Sequence, residues 1–276
     1  MVFLRSGMMM KNLDLFKSNE NSDQWKSYIT YLESIIEDGL KNVIKCSLEY
    51  LIENTNKRNK KLAPFYKISM NLTDDITFAP PLSREKPHSF QQLFDTVIQR
   101  IYSPASEIRK MSDPNADYLE SMEECQLLSN LKQTLTSNVS SAVAQIFSVS
   151  ATFKTYSDLW MKTIEESLED FVLYGPIIET AEAMEEDELK EIEPTPLEEK
   201  PPTEEEFKHQ ISQFDLLLRK VEDIPFEMEI EVWLILNVAT FKERLLIMIR
   251  NWSSAYKKKL NELKAQGKLR KLEDDG

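Results

Sequence analysis

The sequence predicts a mainly α protein, an elongated helical bundle with one long helix and a small β-hairpin near the first third. Apolar residues recur at three- and four-residue steps along most of its 276 residues. Glycine occurs only five times, whereas α/β folds use glycine at strand-to-helix turns. Hydrophobic residues make up 41% of the chain, which is sufficient for a packed core. These observations favour helices packed on helices over a nucleotide-binding fold.

The first helix is predicted from about Ser22 to Thr55. Ser22 and Asp23 are suitable N-caps, and a polar run from Asn54 ends the helix. Its apolar residues keep helical spacing: Trp25, Tyr28, Leu32, Ile35, Ile36, Leu40, Val43, Ile44, Leu48 and Leu51.

A β-hairpin is predicted at residues 65–78, where apolar and polar residues alternate around an Asp-rich turn. One face is mainly apolar and carries Tyr66, Ile68, Met70 and Leu72. Pro80 and Pro81 end the ladder, because proline has no amide hydrogen to donate.

A second helix is predicted to begin at Ser89 and to weaken near Pro104. The longest periodic element follows, an apolar seam over 44 residues from Leu128 to Phe171. Unbroken, that helix would be roughly 65 Å long. Gly175 and Pro176 end it, because glycine suits the C-cap and proline cannot continue the helix.

The last quarter of the chain predicts a helix from Glu204 to Val221, a break at Ile224-Pro225, and a short strand at residues 229–233. A final helix runs from Thr240 to about Gly267. Its seam consists of Phe241, Leu245, Met248, Trp252, Tyr256, Leu260 and Leu263.

Charge separates these parts of the chain. Thirteen acidic residues and two lysines between Glu179 and Glu206 supply −11 of the net charge of −13. With four prolines nearby, this stretch predicts a solvated linker. The predicted organisation is a disordered N-terminus at 1–21, a helical bundle at 22–178, a linker at 179–203, a second helical portion at 204–267 and a tail at 268–276.

Composition argues against most catalytic classes. No two glycines have the spacing of a phosphate-binding loop, and His88 and His209 form no zinc-binding pattern. Cys46 and Cys125 fall in helical patterns, where we expect small buried apolar roles. We therefore predict no catalytic residue, cofactor or metal site. An enzyme that uses a cysteine or a carboxylate pair remains an alternative that would need a concave pocket.

The remaining charge and hydropathy limit the partners. Apart from seven basic residues between Lys257 and Lys271 the chain has no broad basic face, so nucleic acid is not an expected partner. No apolar run approaches the ~20 residues that span a bilayer. We expect a soluble cytosolic protein without a membrane or small-molecule partner.

Two motifs in the order and spacing found here resemble a stretch of axonemal dynein heavy chains. The first comprises Ile76, Phe78, Pro80 and Leu82, followed by Phe90 and Phe94; the second comprises Pro225, Trp233, Phe241, Lys242, Leu245 and Trp252. With the long helix between them they cover about two hundred residues, from Pro64 to Lys264. Family members commonly have glycine before the tryptophan, aspartate where Asn237 stands and proline where Thr240 stands.

The resemblance implies a segment of the non-motor tail, or stem, just before the linker. Such a segment would act as a structural and docking scaffold for dynein intermediate, light or light intermediate chains, or for neighbouring heavy-chain segments. It would serve microtubule-based movement in the axoneme of a cilium or flagellum, as part of the cytoskeleton. The ATPase modules are absent from this sequence, so we expect no ATP binding. The alternative is an unrelated cytosolic helical scaffold.

Overall fold

The computed structural model describes residues 22–55, 63–176 and 200–270. The predicted N-terminal segment 1–21, most of the linker and the end of the tail lie outside the described residues. Within them the protein is mainly α, as predicted. The helices are α1 Asp23–Asn54, α2 Phe90–Glu107, α3 Leu119–Glu124, α4 Gln126–Phe153, α5 Asp158–Met161, α6 Ile164–Tyr174, α7 Glu204–Glu222 and α8 Ala239–Gln266. The strands are β1 Tyr66–Leu72, β2 Ile76–Ala79, β3 Glu227–Glu231 and β4 Leu234–Asn237.

Side-chain caps fix where several helices begin. The Ser22 hydroxyl accepts the N–H of Trp25 at the start of α1, as its position before the apolar pattern predicts. At α7 a reciprocal capping box forms: the Thr203 hydroxyl accepts the Glu206 N–H at 3.2 Å, and the Glu206 carboxylate accepts the Thr203 N–H at 2.7 Å. These caps confirm the predicted starts of both helices.

The predicted 44-residue helix is wrong as a continuous element. α4 ends at Phe153. A 3₁₀ turn at Lys154–Tyr156 and the short α5 follow, and the backbone becomes extended at Lys162. Thr163 starts α6 anew: its hydroxyl accepts the Glu166 N–H at 3.2 Å and donates to the Glu166 carboxylate at 2.8 Å. The apolar spacing continues through the interruption, so the spacing alone predicts one helix. The new start at Thr163 depends on a local side-chain cap, which the spacing does not report.

The predicted hairpin forms but is half of a larger sheet. β1 and β2 pair antiparallel, with Leu72 opposite Ile76 and Ser69 opposite Ala79. Together with β3 and β4 they make a four-stranded sheet in the order β2-β1-β4-β3. The apolar face of β1 is buried as predicted at Ile68, Met70 and Leu72. The predicted strand at 229–233 is shifted to β3, and β4 is additional.

α2 continues through Pro104 to Glu107, beyond the position where the sequence predicts weakening. Pro104 lies in the last turn of α2, so few helical hydrogen bonds follow it, and the Ile108 N–H closes the helix end by donating to the Pro104 carbonyl at 3.2 Å. In the described residues no helix is both long and apolar enough to cross a membrane.

The chain forms two compact units, each assembled from separate segments. Of the described residues, the first unit contains 22–55, 63–66, 80–145 and 230–234, and the second contains 67–79, 146–176, 200–229 and 235–270. The core of the first unit includes Leu40, Ile44, Leu48, Ile98, Tyr102, Tyr118, Met122, Leu128 and Leu135. In the second unit α7 packs along α8 and buries Phe207, Ile211, Phe214, Val221, Leu245, Ile249 and Tyr256.

Candidate functional site

Three of the predicted motif residues meet in an aromatic cluster of the first unit. The Trp233 ring stacks on Phe90 with centroids 6.1 Å apart and meets the Phe94 ring edge-on at 5.9 Å. Phe65 also stacks on Trp233 at 5.6 Å. The Trp233 carbonyl accepts the N–H groups of Phe65 and Tyr66, both at 3.1 Å. Trp233 and Phe90 are buried, so this cluster anchors the sheet rather than presenting a surface.

The first motif begins in β2 and ends before α2. Ile76 and Phe78 are half-buried in the strand, and Phe78 meets the Phe147 ring edge-on at 6.0 Å. Pro80 follows the strand directly, and Leu82 is buried after it. The residues of the first motif therefore form β2 and the connection from β2 to α2.

Lys242 is a buried cation that caps a neighbouring helix. Its ammonium donates to the carbonyl of Glu222 at 2.7 Å and to that of Ile224 at 2.6 Å, at the C-terminus of α7. The ammonium also lies 4.4 Å from the Phe226 ring centroid. A cation at a helix C-terminus complements the helix dipole. Pro225 follows Ile224 and lies in the turn between α7 and β3. The motif residues Lys242 and Pro225 therefore both shape this turn.

The other motif residues of α8 face the core of the second unit. Phe241 packs on Phe153 with ring centroids 4.9 Å apart, and Leu245 is fully buried. The Trp252 indole N–H donates to the Leu159 carbonyl at 3.2 Å, and its ring lies 6.1 Å from Phe214. These contacts hold the interrupted segment after α4 against α8.

The turn into α8 survives the departures from the family pattern. The Asn237 side-chain oxygen accepts the Ala239 N–H at 3.0 Å, which is the bond that an aspartate would make there. Thr240 stands in the first helical turn, where proline is also tolerated. The sequence differences therefore leave the start of α8 in place.

Tyr256 lines a cavity of about 280 Å³ in the second unit. Its hydroxyl donates to the Ser167 carbonyl at 3.4 Å. Burial, with a smaller contribution from the negative charge of Asp170, raises the pKa of Tyr256 to about 12. The phenol thus stays neutral and donates a hydrogen bond across the physiological pH range.

The candidate chemical groups are dispersed. Cys46 is exposed on α1, which corrects the prediction of a buried role, and Cys125 lies between α3 and α4 rather than within a helix. Both are free thiols. His88 is exposed with a positive φ of 56°, and His209 contacts Gln213 on α7. In the described ranges no three metal-ligating side chains are grouped to hold an ion.

Comparison with known proteins gives relatives over 92% of the chain. It is 30% identical over 258 residues to the ciliary dynein beta chain of Heliocidaris crassispina. It is 28% identical over 257 residues to dynein axonemal heavy chain 17 of Mus musculus, and 28% over 256 residues to dynein axonemal heavy chain 9 of Homo sapiens. The chain is related to one segment of the axonemal dynein heavy chains. No protein-family model matches it.

The similarity confirms the predicted resemblance to a segment of axonemal dynein heavy chains. The relatives' names support the predicted location in the cytoskeleton and in the axoneme of a cilium or flagellum. The chain spans about 6% of the length of these relatives. An unrelated helical scaffold, the alternative from the sequence, does not account for similarity along nearly the whole chain.

The first unit of this dynein-related chain carries an exposed apolar face, and the sequence predicted part of it as core. We use the name α1–α2 face for a set of exposed residues on these two helices. It consists of Tyr31, Ile35, Val43, Cys46 and Tyr50 of α1 and of Leu93 and Val97 of α2. Ile35 and Val43 belong to the predicted seam yet are 49% and 58% exposed. Between the two helices lies an open groove of about 390 Å³, whose lining includes Cys46, Tyr50, Val97 and Ile101.

Proposed function

We propose that this chain is a structural and docking segment of a dynein heavy-chain tail, without motor activity of its own. The observation that carries the proposal is its similarity to axonemal dynein heavy chains over 92% of its length. The buried motif residues support a structural role, because they anchor strands and helix ends. The dispersed thiols and imidazoles give no support to a catalytic one.

The docking partner would be a dynein intermediate, light or light intermediate chain, or a neighbouring heavy-chain segment. The α1–α2 face supports this proposal, since contiguous exposed apolar surface marks protein–protein contact. Its residues on α1 lie on one side of the helix: Tyr31 and Ile35 are four positions apart, and Val43, Cys46 and Tyr50 follow at steps of three and four, a spacing at which an amphipathic helix of a partner packs. The motivation for the cellular setting is the ciliary and axonemal naming of the relatives.

The experiment measures retention of purified axonemal dynein intermediate chains and of flanking heavy-chain tail segments on the immobilised chain. The test variants are Val43→Glu and Val97→Glu. Met161→Glu is the matched control, because Met161 is 67% exposed and lies on α5 of the second unit. We expect retention to fall at least about tenfold in both test variants, since each buries a charge against the partner.

Equal retention by the test variants and the control would remove the α1–α2 face as the docking site. Retention of none of these dynein components by the unmodified chain would contradict the docking role. A separate phosphate-release assay tests motor activity. We expect release at the buffer background with and without nucleotide.

A further inference from the structure

Three serines in the described part of the chain follow an arginine by three residues, the spacing that basophilic serine kinases select: Ser103, Ser112 and Ser253. The structure separates them. Ser103 lies within α2 and its hydroxyl donates to the Arg100 carbonyl at 3.0 Å. Ser253 lies within α8, is buried and donates to Asp215 at 3.3 Å. Kinases bind exposed chain that opens easily, and a loop meets this condition more readily than a packed helix.

Ser112 alone of these three occupies an exposed loop, at residues 108–118 between α2 and α3. The loop is closed by the Lys110 N–H, which donates to the Ala116 carbonyl at 2.9 Å, and by an ion pair of Arg109 and Asp117 at 3.0 Å. It is a compact turn with its own hydrogen bonds. Apart from the Tyr118 N–H, which donates to the Ala105 carbonyl at 3.0 Å, its attachment to the rest of the first unit depends on what its side chains reach.

Ser112 binds this loop to α1 through one carboxylate. The Glu33 carboxylate accepts the Ser112 N–H at 2.7 Å, and it accepts the Ser112 hydroxyl at 2.8 Å and 3.1 Å through its two oxygens. The two residues are 79 positions apart in the sequence. Hydrogen bonds to a charged acceptor are stronger than neutral ones. We call this contact the Glu33 tether.

We propose that Ser112 is a phosphorylation site and that its phosphorylation releases the loop from α1. The Ser112 oxygen forms a bond to the γ-phosphorus of ATP and the bond to ADP breaks. The hydroxyl proton passes to a base of the kinase. The product has no hydroxyl donor for Glu33, and it places close to two negative charges beside that carboxylate. Repulsion between the phosphate and the Glu33 carboxylate then opposes the one bond of the tether that remains, from the Ser112 N–H.

The neighbouring cations do not restore the tether. Arg109 pairs with Asp117, and the Lys110 ammonium lies 5.6 Å from the Tyr118 ring centroid. Turning either toward the phosphate weakens the contacts that close the loop. Asp113, the next residue, adds a further negative charge. If a cation turns toward the phosphate, the contacts that close the loop weaken. If it stays in place, the repulsion from Glu33 is not neutralised. The loop opens in either case.

The hydroxyl that donates to Glu33 is the nucleophile of the transfer, so its hydrogen bonds to Glu33 must break before phosphate is transferred. The Glu33 tether should therefore slow phosphorylation, because it holds the attacking hydroxyl in hydrogen bonds that a kinase has to break first. This gives the proposal two independent readouts, the rate of modification and the opening of the loop.

The first experiment treats the whole chain with ATP and a purified serine kinase selective for arginine three residues before serine, and maps phosphate by mass spectrometry. Glu33→Ala should raise the initial rate at Ser112 by about tenfold, the factor expected for loss of a charge-assisted hydrogen bond. Glu33→Gln, which keeps one acceptor oxygen, should give a smaller increase. Arg109→Ala should lower the rate. Asp117→Asn breaks the same ion pair but keeps the arginine, and should not lower it.

The second experiment compares amide hydrogen exchange of the phosphorylated and unmodified chains. Exchange should quicken at least about tenfold in residues 108–118 on phosphorylation, while α8 stays unchanged. Ser112→Ala, incubated with the same kinase, should show no phosphate-dependent change. Incorporation at Ser103 or Ser253 in place of Ser112 would overturn the site. Stoichiometric phosphate at Ser112 with unaltered exchange in the loop would overturn the release.

Discussion

Lys242→Met tests whether a buried cation stabilises the second unit by capping α7. The substitution keeps a long unbranched side chain and removes the ammonium, so the carbonyls of Glu222 and Ile224 lose their donor. A hydrogen bond to a charged group contributes about 1.5–3 kcal/mol, and the contact with Phe226 about 0.5–2 kcal/mol. Removal of the buried charge also ends its desolvation cost. The net expected loss of stability is about 2–4 kcal/mol.

The assay is urea unfolding followed by circular dichroism, with the free energy of unfolding taken from the midpoint at an unchanged m-value. Arg250→Met is the matched control. Arg250 pairs with the Glu222 side chain at 3.2 Å, and both are exposed, so its loss should cost at most about 1 kcal/mol. Equal, small losses for Lys242→Met and Arg250→Met would refute the capping role. The variant Lys242→Arg should retain most of the stability, because it keeps the charge.

Three further predictions concern local structure. Thr203→Ala removes the capping hydroxyl of α7 and should lower the unfolding free energy by about 1 kcal/mol in the same urea assay; no change would contradict the cap. Gly175→Ala should lower the unfolding free energy by more than about 1 kcal/mol, because φ is 73° at this position. Gly39→Ala should raise it by about 0.5–1 kcal/mol, because Gly39 lies within α1 with open space around it. Equal effects of the two substitutions would contradict the backbone argument. Tyr256 should ionise near pH 12 in an absorbance titration, and Tyr256→Phe should abolish that step.

The sign of the alkaline effect follows from the raised pKa of Tyr256. The unfolded phenol ionises near its ordinary pKa of 10.0 and the folded one at about 12. Between these values the folded state binds more protons, so this stabilisation is complete below pH 10 and is lost as the pH rises to 12. The unfolding free energy of Tyr256→Phe should therefore fall less steeply over that interval than that of the unmodified chain.

Helix positions were predictable where local signals coincide. At α1 and α7 the helix begins one residue after a serine or threonine cap and the apolar stripe follows from Trp25 and Phe207, and the structure places both starts as expected. At Thr163 the same signal was available, with Glu166 three residues later, but the continuing seam concealed it. A Thr-x-x-Glu sequence inside a long apolar pattern therefore signals a new helix start that the apolar spacing alone does not show.

The four-stranded sheet and the motif clusters depend on contacts distant in sequence. Trp233 meets Phe90 across more than a hundred residues, and no periodicity within either segment reports that pairing. Lys242 is a second case, because its partners are carbonyls, which carry no side-chain signature. The α1–α2 face is a third, since Val43 has the spacing of a core residue and only its surroundings show it exposed.

The docking role is tested most directly by the affinity of the whole chain for purified axonemal dynein intermediate chains and adjoining heavy-chain tail segments. A titration followed by interferometry should give saturable binding to at least one of them. Val43→Glu should weaken that binding at least about tenfold, and Met161→Glu should leave it unchanged. Absence of saturable binding to every one of these components, from a chain that circular dichroism shows to be folded, would contradict the account.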